Sequence, residues 1–400
     1  MDWQTVLARR TGRMKASEIR ELLKLLDQPD IISFAGGIPD PALFPAEAFA
    51  TAMSEAMTGP RAAQALQYSV SEGYAPLRAW LADHMATIGV HCGTENIVIT
   101  SGSQQALDYL GKLLLTPGDT AMVGWPTYLG ALGAFNACEP RYIPLDPWSN
   151  TAPEDLRAEA EAASGAVKMA YLSPDFANPT GETLDAEGRV RLLDRAEALG
   201  IAVIEDAAYQ ALRYNGDLVP PILATDIARS GGIENTRTIY CGSFSKTLAP
   251  GLRVGWVCAA SPVIERLVLI KQAADLHSPT LNQIATERVA RAMFDDHVAG
   301  LRRVYGARRD RMLAALSREM PEGVTWTRPE GGMFVWVTLP EGTDSAQLLE
   351  RAVREARVAF VPGGAFFPDG SGRNTLRLSF SCADDARIDE GIARLGRLLR

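Results

Sequence analysis

The chain has 400 residues, 40 basic against 48 acidic side chains for a formal net charge of −8, and 47% hydrophobic residues. At roughly 150 residues per domain this length suits about two to three domains, and the apolar share excludes intrinsic disorder. The acidic balance and scattered basic residues argue against a nucleic-acid or anionic-membrane surface, which leaves small-molecule chemistry.

In chain order, residues 1–10 (MDWQTVLARR) lack the charged-then-apolar pattern of a signal peptide. Residues 17–26 (SEIRELLKLL) open on a serine cap and place apolar side chains at 19, 22, 23, 25 and 26, which predicts an amphipathic helix. A Gly- and Pro-rich loop follows over 33–45 (SFAGGIPDPALFP). From about residue 97 short apolar runs alternate with helical stretches: IVIT then SQQALDYLGKLL, TAMVGW then a helix from about Tyr128, KMAYLS, a helix over 186–199, and IAVIED. This alternation predicts an α/β fold, a mostly parallel sheet covered by helices on both faces. The uncharged stretch 121–138 is broken by Pro126, Asn136 and several glycines and does not read as a membrane span. After TIYCGSFS and LRVGWVCA come long Arg-rich helices over about 261–319. Then GGMFVWVTL, a helix over 345–355, VAFVPG and TLRLSF before a last helix predict a smaller α+β domain at the carboxyl end.

Five cysteines, an odd number without CxxC spacing, fit reduced thiols and a cytoplasmic setting. Four histidines offer no pair at the four-residue spacing of a helical zinc site, so no metal is expected. Of the 40 basic residues only six are lysines, at 15, 24, 112, 168, 246 and 271. Only a lysine amine forms an imine with a carbonyl, so such a mechanism has six candidates.

Residues 241–256 (CGSFSKTLAPGLRVGW) hold the densest chemistry. A lysine in a serine-rich turn is by itself an ordinary surface residue. Ser243, Ser245 and Arg253 change that reading, because together they neutralise and hydrogen-bond a phosphate while Lys246 meets an aldehyde beside it. That combination fits pyridoxal phosphate (PLP). The segment resembles the cofactor-lysine signature of the fold-type I, class I/II PLP-dependent aminotransferases. With SEIRELLKLL and SFAGGIPDPALFP, the chain is similar to the branch containing 2-aminoadipate and kynurenine aminotransferases, over nearly its whole length.

The resemblance implies an aspartate aminotransferase-like architecture: a large domain with a mostly parallel seven-stranded sheet, plus the smaller α+β domain. The expected division is 1–55 for the opening helix and loop, 56–295 for the large PLP-binding domain and 296–400 for the small domain. A helix start supplies N–H groups to a phosphate, and the resemblance puts Ser103 and Gln104 there, with Tyr128 over the cofactor ring. Asp206 is implied as the carboxylate that keeps the pyridine nitrogen protonated. Adjacent Glu205 has nearly the same chemical claim, and only the resemblance prefers Asp206. Tyr209 and Asn178 are implied at the cofactor's phenolic oxygen, and Tyr68 is implied to reach across a homodimer interface to the neighbouring phosphate. For substrate, the resemblance implies Arg377 on the α-carboxylate, assisted by Asn178 and the backbone of Gly37, and Arg20 at the distal end of an acidic side chain. Ala177 and Ala207 depart from the family pattern, and slack is expected beside Asn178.

The implied reaction moves the amino group of an L-amino acid to a 2-oxo acid, with 2-oxoglutarate the expected acceptor, by a ping-pong scheme in which Lys246 is the catalytic base. Decarboxylation or β-elimination on the same scaffold is an alternative, since the cofactor supports several bond cleavages. So is an aminotransferase-like regulatory or silent binding protein, against which stand the likeness beginning by residue 17 and the complete set of chemical positions.

Overall fold

The structure is a computed structural model that describes residues 1–14, 30–58, 60 and 62–400. The helix expected over 17–26, with Arg20, lies outside the described residues. The strands in chain order are β1 (Ile32–Ser33), β2 (Ile97–Thr100), β3 (Thr120–Val123), β4 (Arg141–Pro144), β5 (Val167–Leu172), β6 (Ala202–Asp206), β7 (Thr238–Ser243) and β8 (Gly255–Cys258), then β9 (Thr325–Trp326), β10 (Phe334–Thr338), β11 (Val358–Ala359), β12 (Val361–Pro362) and β13 (Thr375–Ser379).

Seven of them form the main sheet in the order β2-β8-β7-β6-β5-β3-β4. Strand β8 runs antiparallel to both neighbours and the other pairs are parallel. Strands β2, β3, β7 and β8 are buried along their whole length, which is why they read as unbroken apolar runs. Strand β4 has partly exposed residues, and no comparable run marks it in the sequence. One face of the sheet packs Val98, Val123, Tyr171, Ile204 and Val257 against Leu107, Leu110 and Leu267 of the helices Ser103–Leu114 and Ser261–Ala274. The other face packs Ile97, Ile99, Tyr240 and Trp256 against Leu77, Leu81 and Phe294. The helix Ala186–Leu199 starts where Asp185 accepts from the Gly188 N–H and ends at Gly200 in the left-handed region, both legible as cap residues.

The second layer is a four-stranded antiparallel sheet, β12-β13-β10-β9. The helix Thr280–Glu319, 40 residues long, runs past residue 295 and joins the two layers. Its first half buries Val289, Ala290, Phe294 and Val298 beside the main sheet. Its second half buries Leu301, Tyr305, Met312 and Leu316 beside the small one. The helix expected over 345–355 is α only across Ser345–Arg351, then widens to a π turn over Ala352–Ala356. Among the described residues no helix is long and apolar enough to cross a membrane.

Candidate active site

In an open parallel sheet ligands bind beyond the carboxyl ends of the strands, and most of the described residues singled out in the sequence lie there, Tyr68 excepted. Strand register does the first part of the work. Gly255, the first residue of β8, pairs with Thr100 at the end of β2 and with Ser243 at the end of β7. The turn 101–104, the Ser243–Ser245 turn and Arg253 therefore meet at one corner. A Cβ on Gly255 would lie 2.8 Å from the Gly102 carbonyl carbon and 2.9 Å from the Ser103 nitrogen, so only glycine allows this approach. Gly102 has φ +80°, and a Cβ there would lie 2.3 Å from the Arg253 guanidinium. Arg253 donates to the Ser101 carbonyl at 3.2 Å. The Ser243 hydroxyl donates to the Ser245 hydroxyl at 2.9 Å and accepts the Ser245 N–H at 3.1 Å. Ser103 and Gln104 open the helix Ser103–Leu114, where N–H groups have no carbonyl one turn earlier to bond. The Gln104 side chain itself turns away, donating to the Gly130 carbonyl at 2.7 Å.

Among the lysines, Lys15 and Lys24 lie outside the described residues, Lys112 pairs with Asp108 and Lys168 is exposed. Lys271 is buried but encircled by acceptors. Lys246 differs: its amine donates to the Gly37 carbonyl at 2.8 Å and lies 5.7 Å from the centre of the Tyr209 ring. Burial, with the positive charges of Arg377 and Arg253 adding to it and Asp206 opposing, holds this amine down at about 8. A lysine so placed reaches its neutral, nucleophilic form near physiological pH.

Asp206 and Glu205 end β6 on opposite faces, as neighbours on a strand do. Glu205 accepts the N–H groups of Ile222 and Leu223 at 2.8 and 2.9 Å and so caps the helix Ile222–Ser230. Asp206 points to the site. Its Oδ2 accepts from the Tyr171 hydroxyl at 2.8 Å, while its Oδ1 is buried without a hydrogen-bond partner among the described residues. Burial raises this carboxyl to about 6, against the pull of the Tyr171 hydrogen bond and Lys246. An orphaned buried carboxylate oxygen is costly, and a protonated ring nitrogen is a donor of the kind that would satisfy it.

Arg377 lies in the middle of β13, 1% exposed. It donates to Asn178 Oδ1 at 2.7 Å and to the Ala35 carbonyl at 2.8 Å, and its guanidinium stands 4.3 and 5.1 Å from the ring centres of Phe334 and Phe366. Burial lowers it to about 10, which leaves it charged at neutral pH. A Cβ on Gly37 would lie 3.6 Å from the same guanidinium and 3.1 Å from the Phe334 ring. Tyr209 packs edge-on to Phe334 at 5.5 Å, with burial raising its hydroxyl. Burial also raises Tyr128, with Asp206 adding to it and Arg377 and Arg253 opposing. Next to Ala177, Asn178 is buried and engaged, and Ala207 is buried with its N–H on the Cys241 carbonyl at 3.0 Å.

Tyr68 stands apart from this constellation: it is 79% exposed, and its ring meets His277 edge-on at 6.1 Å. Reading the sequence alone misses Tyr171, Phe334, Phe366 and the Ala35 carbonyl. Tyr171 lies inside KMAYLS with nothing to mark it, and Ala35 meets Arg377 across 342 positions of chain.

The glycine-lined corner, the lone oxygen of Asp206 and the depressed amine of Lys246 fit PLP in donor type and charge, and the α/β sheet with its small partner layer is the fold-type I scaffold. Comparison agrees. The sequence matches the family aminotransferase class I and II over residues 29–395. It is 44% identical to aromatic-amino-acid aminotransferase 1 of Thermococcus litoralis, covering 100% of this chain and 95% of that protein. It is 43% identical to 2-aminoadipate transaminase of Thermus thermophilus, covering 100% and 98%. The crystal structure of an alpha-aminoadipate aminotransferase from Thermus thermophilus, complexed with N-(5'-phosphopyridoxyl)-L-leucine, superposes with a TM-score of 0.87 at 42% identity, covering 100% of this chain and 98% of that one. The chain belongs to the class I and II aminotransferases; it is a PLP-dependent aminotransferase.

Proposed function

We propose that the enzyme takes the amino group of an acidic L-amino acid, 2-aminoadipate or glutamate, and passes it to 2-oxoglutarate by a ping-pong scheme. The observation that carries the reading is the site in which half-buried Lys246 lies with buried Asp206 and Arg377. Bound PLP supplies an electron sink for the pair left behind when a bond at the substrate's Cα breaks. Ser103, Gln104, Ser243, Ser245 and Arg253 would hold its phosphate, Asp206 would keep the proton on its ring nitrogen, Tyr128 would cover its ring, and Tyr209 and Asn178 would donate to its phenolic oxygen. Arg377 orients the donor through its α-carboxylate, helped by Asn178 and the Gly37 backbone. Lys246 Nζ, its amine held down at about 8, would take the proton from Cα. The protein acts in the cytoplasm as a homodimer, exposed Tyr68 reaching the partner's phosphate site.

The acidic donor rests on Arg20, as the resemblance implies, and on the likeness to 2-aminoadipate transaminase. An aromatic donor is the second reading, favoured by the likeness to aromatic-amino-acid aminotransferase 1 of Thermococcus litoralis. The deciding experiment adds each donor to the PLP-loaded enzyme with no oxo acid present and follows the cofactor's absorption bands. Full conversion with 2-aminoadipate or glutamate supports the proposal. Bands that move only with phenylalanine or tyrosine hand the assignment to the second reading, and intersecting rather than parallel initial-rate plots reject the ping-pong scheme.

A further inference from the structure

The second buried lysine has no part in the reaction, yet it stands directly behind the phosphate corner. Lys271, on the helix Ser261–Ala274, is fully buried. An ammonium has three N–H groups, and three side chains receive them: Gln105 Oε1 at 2.9 Å, Asp275 at 2.9 and 3.1 Å, and Ser278 Oγ at 3.0 Å. Each of these acceptors reaches Ser101. Gln105 Oε1 also accepts the Ser101 N–H at 2.8 Å, the Ser101 and Ser278 hydroxyls lie 3.0 Å apart, and the Ser101 hydroxyl donates to Asp275 at 3.3 Å. The Ser101 carbonyl takes the Arg253 guanidinium. Every polar group of Ser101 is therefore held, and Ser101 is the residue from which the chain turns through Gly102 into the helix start.

We infer that Lys271 is a positioning residue for the cofactor phosphate: it locks Ser101 so that the N–H groups of Ser103 and Gln104 and the Arg253 guanidinium face one point, and it neutralises Asp275 behind them. The second task is electrostatic. Asp275 also receives the Gln105 amide at 2.7 Å and the Tyr109 hydroxyl at 3.3 Å, but Lys271 is the cation paired with it. Without that cation a carboxylate faces, one side chain away, the site where a dianion must sit. The inference rests on the assignment of this corner to the phosphate.

The test measures the affinity of the full-length chain, stripped of cofactor, for PLP and for pyridoxal, which lacks the phosphate, by tryptophan fluorescence quenching. Lys271→Met is expected to weaken PLP about tenfold or more and pyridoxal no more than about twofold. Adding Asp275→Asn to it should recover most of the lost PLP affinity by removing the exposed carboxylate. Equal loss for both ligands makes Lys271 merely structural and overturns the inference, as does PLP affinity within about twofold of the parent. Should Lys271→Met fail to fold, Gln105→Leu, at a half-buried position, cuts the same link and must show the same phosphate-selective loss. Arg253→Gln is the control: if it spares PLP affinity, the phosphate assignment itself falls, whereas a loss there with none in Lys271→Met condemns only the role of Lys271.

Discussion

Asp206 shows how one side chain trades stability against chemistry. Its ordinary carboxyl value is 3.8 and its value in the cofactor-free fold about 6, so between those values the folded chain holds a proton that the unfolded chain has released. The stability of the cofactor-free protein therefore falls as pH rises from 3.8 to about 6 on account of this group. Asp206→Asn removes that penalty. We expect its cofactor-free melting temperature at pH 7 to rise by roughly 1–3 °C, with the gain vanishing toward pH 4. Its turnover should fall at least about a hundredfold, because a neutral amide does not keep a pyridine nitrogen protonated. Calorimetry across pH and a steady-state assay of the loaded variant check the two halves, and a destabilised cofactor-free variant would contradict the account. Glu205 would not behave this way, since its carboxylate caps a helix. The sequence could not separate these neighbours on chemistry; strand alternation separates them at once, but only when the direction of one of them is known.

At the scale of elements, what was legible follows from locality. The helices Ser103–Leu114 and Ala186–Leu199 match their expected bounds because periodicity and caps are written within a dozen residues. The short strand β4, the break at 275–279 and the π turn over Ala352–Ala356 were not legible, since each depends on what packs beside it. The corner proposed for the phosphate was half legible. Its serines and arginine announce themselves, whereas the need for Gly255 arises only when β2, β8 and β7 lie side by side. Gly255→Ala would press a methyl group to 2.9 Å from the Gly242 carbonyl oxygen as well as into the 101–104 turn. We expect a loss of about 2 kcal/mol or more in unfolding free energy and a larger fractional loss of PLP than of pyridoxal affinity. A variant as stable and as tight-binding as the parent would show that the turn yields easily.

On the scale of the whole molecule, the site draws on both layers. Asp206 ends β6 of the main sheet, Lys246 follows β7 and Arg377 comes from the small sheet, while the Thr127 N–H on the Phe366 carbonyl at 2.9 Å ties the turn before Tyr128 to the segment stacked on Arg377. The helix Thr280–Glu319 spans the boundary that the sequence suggests at 295/296, and its buried faces belong to two cores. Fragments 1–295 and 296–400 expressed separately are expected to lack cooperative melting, because the cut takes Val298 from the main-sheet core and Ile32, Phe34, Phe176 and Leu212 from the core of the small layer. Two sharp independent transitions would show the layers to be self-sufficient.

That shared helix also constrains ancestry and engineering. With 40 residues it extends about 60 Å, so its amino half answers to one set of neighbours and its carboxyl half to another. A recombination point placed inside it, joining this chain to a relative such as the Thermus transaminase, would oblige one rod to satisfy partners inherited from two parents. Exchange outside 280–319 leaves the rod and one of its cores intact, and the viable crossovers in a chimera library should cluster there.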